Sequence, residues 1–125
     1  MSDDVPAHRN GTAPRIGTVL HPVPDVAAAV AFYGEVLGFG QKFVDGDRYA
    51  ALDAGGVTLA LAGPAEDVTD GVAAVSVKVP DVGAMLTAIE AAGGATLRAA
   101  EQGPHEVRAV ARDPWGNTLV VYGPQ

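Results

Sequence analysis

The chain writes nearly the same pattern twice. Val23-Pro24-Asp25-Val26 returns 56 positions on as Val79-Pro80-Asp81-Val82, and Gly56-Val57-Thr58-Leu59-Ala60-Leu61 returns 60 positions on as Gly116-Asn117-Thr118-Leu119-Val120-Val121. Two separated segments repeating at nearly one offset imply two copies of a single supersecondary unit. The whole chain has 125 residues, which suits one domain, and modules of about fifty residues are too small to stand as two. They are expected to share a core, and paired units of this kind join around a shared cavity where a ligand would sit.

Composition narrows the classes. Hydrophobic residues make up 48% and charged residues 18%, a globular balance rather than a disordered one. No apolar run reaches the roughly 18 residues of a membrane span. The start, Met1-Ser2-Asp3-Asp4, lacks the basic and apolar regions of a signal peptide, so a cytoplasmic location is expected. With no cysteine, disulfides, thiolate catalysis and zinc–sulfur sites drop out together. A net charge of −7 repels phosphate backbones and anionic lipid, so neither nucleic acid nor membrane is expected as a partner.

Residues 1–14 carry Pro6, Asn10-Gly11 and Pro14 without periodicity and read as a mobile tail. The domain then occupies residues 15–123, as modules 15–62 and 71–123. Ile16 to Val23 reads as a strand, and Asp25 caps a helix to about Val36 with Val26, Ala29, Val30, Tyr33 and Leu37 at helical spacing. Phe39 to Val44 and Arg48 to Leu52 read as a hairpin around Asp45-Gly46-Asp47, and Val57 to Ala62 as a further strand. After a linker the order recurs. Val72 to Val79 is a strand, and Asp81 caps a helix to about Ala92 that stops at Gly93-Gly94. Thr96 to Arg98 reads as a short strand, with Val107 to Arg112 and Thr118 to Tyr122 flanking the turn Asp113-Pro114-Trp115-Gly116-Asn117. The fold class is α+β, with β-α-β-β-β written twice.

Three motifs acquire meaning in that frame. Val23-Pro24-Asp25-Val26 runs into Ala31-Phe32-Tyr33 and Val36-Leu37-Gly38-Phe39, and the second copy ends in Arg112-Asp113-Pro114-Trp115-Gly116-Asn117. Residues 15–123 thereby resemble the vicinal oxygen chelate superfamily, which includes glyoxalase I, extradiol dioxygenases, fosfomycin-resistance enzymes and bleomycin-binding proteins. The resemblance implies two βαβββ modules paired into a cup-shaped, mostly antiparallel sheet, helices outside and the site inside. It also implies a homodimer.

In metal-using members, four strand residues chelate one divalent cation. By resemblance those positions fall on Thr18, Ala60, Ala74 and Val120, and the repeat relates them by the same 56 and 60 positions. Alanine and valine offer no lone pair, and one threonine is a poor ligand. The expectation is a chain with no metal and no cofactor.

Strand alternation assigns the faces. Thr18, Leu20, Pro22, Thr58, Ala60, Ala62, Ala74, Ser76, Lys78, Thr118, Val120 and Tyr122 share parity with the lost ligand positions, while Val19, Val23, Leu59, Leu61, Val75, Val77, Val79, Leu119 and Val121 face the helices. The expected ligand-binding residues are Thr18, Leu20, Tyr49, Ala60, Ala74, Ser76, Lys78, Arg108, Trp115, Val120 and Tyr122. Small side chains there leave space for an organic molecule. For proton transfer the candidates are His105, Glu106 and Lys78, His105-Glu106 being the one adjacent imidazole–carboxylate pair. Both follow Gly103-Pro104 and are expected on a loop rim. His21 is expected near the helix layer with a structural hydrogen bond. No dinucleotide fingerprint, Walker sequence or nucleophile elbow occurs.

The leading expectation is a metal-independent binding protein for a small drug-like or secondary metabolite, similar to the bleomycin-resistance type. A metal-free isomerase, cyclase or lyase using the same cup is the alternative, and a partner protein whose cup has lost its ligand is a third.

Overall fold

The computed structural model describes residues 13–125. The expected mobile tail therefore lies almost wholly outside the described residues. The order is β1 (Arg15–Pro22), α1 (Val26–Glu35), β2 (Gly40–Asp45), β3 (Tyr49–Asp53), β4 (Thr58–Ala62), β5 (Ala74–Lys78), α2 (Val82–Ala91), β6 (Ala95–Gln102), β7 (Val107–Arg112) and β8 (Thr118–Gly123). β-α-β-β-β thus occurs twice, in an α+β fold whose strands pair mostly antiparallel. The residues fall into two compact units, Gly17–Val75 and Ser76–Gln125 with residues 13–16.

The first unit orders its strands β2-β3-β4-β1. β2, β3 and β4 form an antiparallel meander, and β1 lies parallel to β4 with Leu20 beside Ala60 and Pro22 beside Ala62. A helix is needed to return a parallel strand, and Asp25 starts it. The Asp25 backbone is extended (φ −141°, ψ 105°), and its carboxylate accepts the Ala28 N–H at 3.0 Å, satisfying a donor the first turn cannot. α1 buries Val26 completely and sets Ala29, Val30 and Tyr33 against Ala50, Leu52, Leu59 and Leu61. Each such leucine taken fully from water stabilises the unit by about 1.5–3 kcal/mol.

The second unit repeats this geometry closely. Its strands run β5-β8-β7-β6. Asp81 caps α2 with φ −145° and ψ 103°, accepting the Ala84 N–H at 3.0 Å. The Val79 N–H donates to the Tyr122 carbonyl at 2.8 Å, as the Val23 N–H does to that of Ala62 at 2.8 Å. The helix-side core is Val79, Val82, Leu86, Ala109, Ala111 and Val121, with Val77, Met85, Ile89 and Val107 packed on it. α2 ends where Gly93 turns left-handed (φ +101°) and the Gly94 N–H reaches back to the Ile89 carbonyl at 2.9 Å. A Cβ on Gly94 would collide with the Arg112 carbonyl and the Ile89 side chain.

Two strands differ from their expected extents by more than one residue. β6 runs eight residues rather than three, Ala95–Gln102, and its register with β7 shifts twice, around Thr96/Arg98 and Arg98/Glu101. Such bulges erase the alternation that marks a strand. β5 begins at Ala74 rather than Val72. Val72 is held in a turn instead, its N–H on the Thr69 carbonyl and its own carbonyl accepting the Thr69 hydroxyl at 2.6 Å.

Candidate functional site

Each sheet has one face against its helix and one turned from it. Val19, Val23, Leu59 and Leu61 belong to the first helix-side core, and Val77, Val79 and Val121 to the second. Parity then puts Thr18, Leu20, Ala60 and Ala62 on the other face of the first sheet, and Ser76, Lys78, Val120 and Tyr122 on that of the second. Leu20, Ala60, Ala74, Ser76, Val110 and Val120 are all buried, although none belongs to a helix-side core.

On the first sheet the rows across β1, β4 and β3 are uncharged on this face, and Asp45 on β2 stands beyond Tyr49. Ala51 stands beside Ala60 and Ala60 beside Leu20, while Tyr49 stands beside Ala62 and Ala62 beside Pro22. Thr18 is partly buried at the near end of β1. Tyr49 is half-buried, its ring 6.3 Å from that of Phe43 on β2. At the margin the Lys42 ammonium donates to the Thr58 hydroxyl at 2.8 Å.

On the second sheet the same rows carry polar groups. Arg108 lies directly opposite Tyr122, and Val110 opposite Val120. The Val79–Tyr122 hydrogen bond repeats that of Val23 and Ala62, so the register of β1 on β4 carried to β5 on β8 puts Lys78 beside Tyr122 and Ser76 beside Val120. Neighbours across strands share a face. One row therefore reads Lys78–Tyr122–Arg108, ending at Glu101 on β6, and the next reads Ser76–Val120–Val110.

The Tyr122 phenol titrates above its ordinary value of 10.0. Burial is the main cause, the Glu106 carboxylate adds to it, and the Arg15 guanidinium opposes both. Tyr122 thus stays a protonated donor at neutral pH, with Glu106 and Arg15 near it. Sequence reasoning missed Arg15, because nothing local at the start of a strand says which side chain across the fold it will meet. It also missed Val110, which parity with Arg108 along β7 would have found.

The other candidates separate. His105 is exposed in the β6–β7 turn, closed by the Gly103 N–H on the Glu106 carbonyl at 2.7 Å, while Glu106 is half-buried. The pair is thus split between solvent and sheet. Trp115 is 83% exposed in the β7–β8 turn. That turn is knotted by Asp113, whose carboxylate accepts the Trp115 and Asn117 N–H groups at 2.9 Å each and the Asn117 side-chain amide at 2.8 Å. His21, in the first unit, shares a 3.1 Å hydrogen bond between its Nδ1 and the Tyr33 hydroxyl. Tyr33 is stacked on Phe39 at 6.2 Å, so His21 faces α1 with the hydrogen bond expected of it.

The sequence profile of the Glyoxalase/Bleomycin resistance protein/Dioxygenase superfamily matches residues 15–121, and the chain belongs to that superfamily. An uncharacterized protein of Mycolicibacterium smegmatis is 48% identical over 96 residues, covering 77% of this chain and 82% of that protein. Among solved structures, a superfamily member from Vibrio splendidus 12B01 superposes with a TM-score of 0.67 at 19% identity, over 89% of this chain and 99% of that one. An NAD-dependent benzaldehyde dehydrogenase from Legionella pneumophila gives 0.71 at 18%, over 86% and 98%. Methylmalonyl-CoA epimerase from Mycobacterium tuberculosis gives 0.57 at 19%, over 88% and 87%. At such identities the likeness is one of fold.

Thr18, Ala60, Ala74 and Val120 stand at the four ligand positions the resemblance implies, and three of them are aliphatic and buried. Among the described residues, no three histidine, aspartate or glutamate side chains gather as a metal would need.

Proposed function

We propose that this protein binds a small organic molecule, without a metal, on the sheet faces turned from its helices. The observation that carries the reading is the character of those faces. At the implied ligand positions they hold alanine, valine and threonine, and around them a buried hydroxyl (Ser76) and a half-buried phenol (Tyr122). Small apolar walls with a few polar groups suit an organic ligand better than a cation. The bleomycin-resistance branch of the superfamily offers the nearest functional analogy, with a drug-like or secondary metabolite as the ligand.

Ala74 provides the test. It is 7% exposed and lies outside both helix-side cores. Ala74→Phe is expected to leave the protein folded and to weaken a ligand found by thermal-shift screening of metabolites and antibiotics at least about tenfold, roughly 1.4 kcal/mol. A folded variant that binds unchanged would refute the assignment.

A metal-free isomerase, cyclase or lyase is the second reading, favoured by the Glu106 charge acting on the Tyr122 phenol. Mass spectrometry of the ligand over time separates the two. A binder returns it unaltered, whereas the enzyme reading requires a new mass or, for an isomer, a new retention time.

A further inference from the structure

Because the chain contains the unit twice, each position has an internal comparison. In the first copy the row across β1, β4 and β3 reads Pro22–Ala62–Tyr49. In the second copy the equivalent row across β5, β8 and β7 reads Lys78–Tyr122–Arg108. One row inward, Leu20 of the first copy is replaced by Ser76. The backbone is held in common, so the packing of a β-α-β-β-β unit does not demand these polar groups. Two cations and a phenol lie along one line of one sheet, with Glu101 beyond them on β6, in a chain whose net charge is −7.

Lys78 is exposed at the end of β5, while Arg108 and Ser76 lie further in. Arg108 is half-buried, and Glu101 stands opposite it on β6, yet among the described residues Arg108 makes no ion pair. Arg48, by contrast, is paired with Asp45 and Glu66. A half-buried arginine that makes no ion pair keeps its planar donors open to a further partner. Ser76 is 6% exposed, and no hydrogen bond from its hydroxyl occurs among the described residues. A buried hydroxyl normally has a partner. Arg15 adds a third cation near the phenol, and Glu106 is the carboxylate that acts on it.

We propose that the Lys78–Tyr122–Arg108 row recognises the carboxylate of a small organic acid, with Ser76 on the buried row beside it. Neighbouring strands lie about 4.8 Å apart, so Lys78 and Arg108 flank Tyr122 at a spacing that lets one carboxylate lie over the tyrosine and face both. Arg108 offers a planar fork suited to two oxygens, Lys78 a point charge, and the Tyr122 hydroxyl a donor. The inference rests on the binding reading above and narrows its ligand to an anion.

The test is calorimetry on the full chain with benzoate, naphthoate and octanoate, each beside its neutral carboxamide. At least one acid is expected to bind saturably and at least about tenfold more tightly than its amide. Lys78→Gln/Arg108→Gln, checked for folding by circular dichroism, is expected to remove that preference. Ser76→Ala is expected to weaken the acid severalfold while keeping the preference. Amides that bind as well as acids, an acid affinity untouched by the double substitution, or no binding by any acid would each overturn the proposal. Neutral compounds whose binding is lost in Ala74→Phe would overturn this proposal alone. Failure of every compound in the wider metabolite screen would remove the binding reading as well.

Discussion

Tyr122 condenses the chemistry of the second unit. Its phenol is pushed above the ordinary range by burial first and by Glu106 second, with Arg15 pulling the other way. A folded-state pKa raised above the unfolded value means that the protonated phenol contributes stability fully below the unfolded value of about 10. That contribution is lost as pH rises through the higher, folded value. Glu106→Gln removes a negative neighbour, so the phenolate absorbance of Tyr122 is expected to appear at lower pH than in the parent. An unchanged titration would mean that Glu106 is not near the phenol. Asp113 shows the opposite sign. Its carboxyl is held below the ordinary value by the Asn117 side-chain amide first and the Asn117 backbone second. The turn it ties is therefore fully formed above the unfolded value and loosens as pH falls through the lower, folded one. Asn117→Ala is expected to raise the Asp113 titration midpoint, read from its carboxyl carbon shift by NMR.

At the scale of elements, legibility followed local chemistry. Both helices could be read because each has an aspartate cap and an apolar stripe, and the structure shows the two caps with nearly the same backbone angles. The helix-facing parity was legible because Val19, Leu59, Leu61, Val79 and Val121 alternate strictly. β6 was not legible beyond Thr96 to Arg98. Its outer six residues are exposed and its register breaks twice, so no apolar period marks it. The β-branched side chain of Val72 reads as strand, but the Asp67–Thr69 hydrogen bonds hold that segment in a turn. The charged row could be named only residue by residue. Lys78, Arg108 and Tyr122 lie up to 44 positions apart (from 78 to 122), and only the strand order makes them neighbours. One prediction belongs here. Gly94 has the Arg112 carbonyl and the Ile89 side chain where a Cβ would stand. Gly94→Ala is expected to destabilise by about 1–3 kcal/mol, the usual range for forcing an extra group into a packed site. Denaturant unfolding measures it, and a loss near zero would mean that the α2–β6 corner yields freely.

For the whole molecule, the resemblance implies a homodimer, and exposed apolar side chains supply surface for one. Val36, Phe32, Leu37 and Trp115 are 68%, 51%, 51% and 83% exposed. Association of two copies is expected in light scattering, and a monomer at micromolar concentration would exclude it. No helix among the described residues is long and apolar enough to cross a membrane.

Trp115 carries a practical consequence of another kind. It is the sole tryptophan, and it stands in solvent on a turn tied by Asp113, outside both helix-side cores. Its emission is expected to be that of an indole in water, so melting either core should scarcely change its colour. An optical assay of stability must follow the tyrosines or the backbone instead. What the indole will report is the arrival of another surface, through a blue shift and protection from soluble quenchers, which makes it a built-in probe of association.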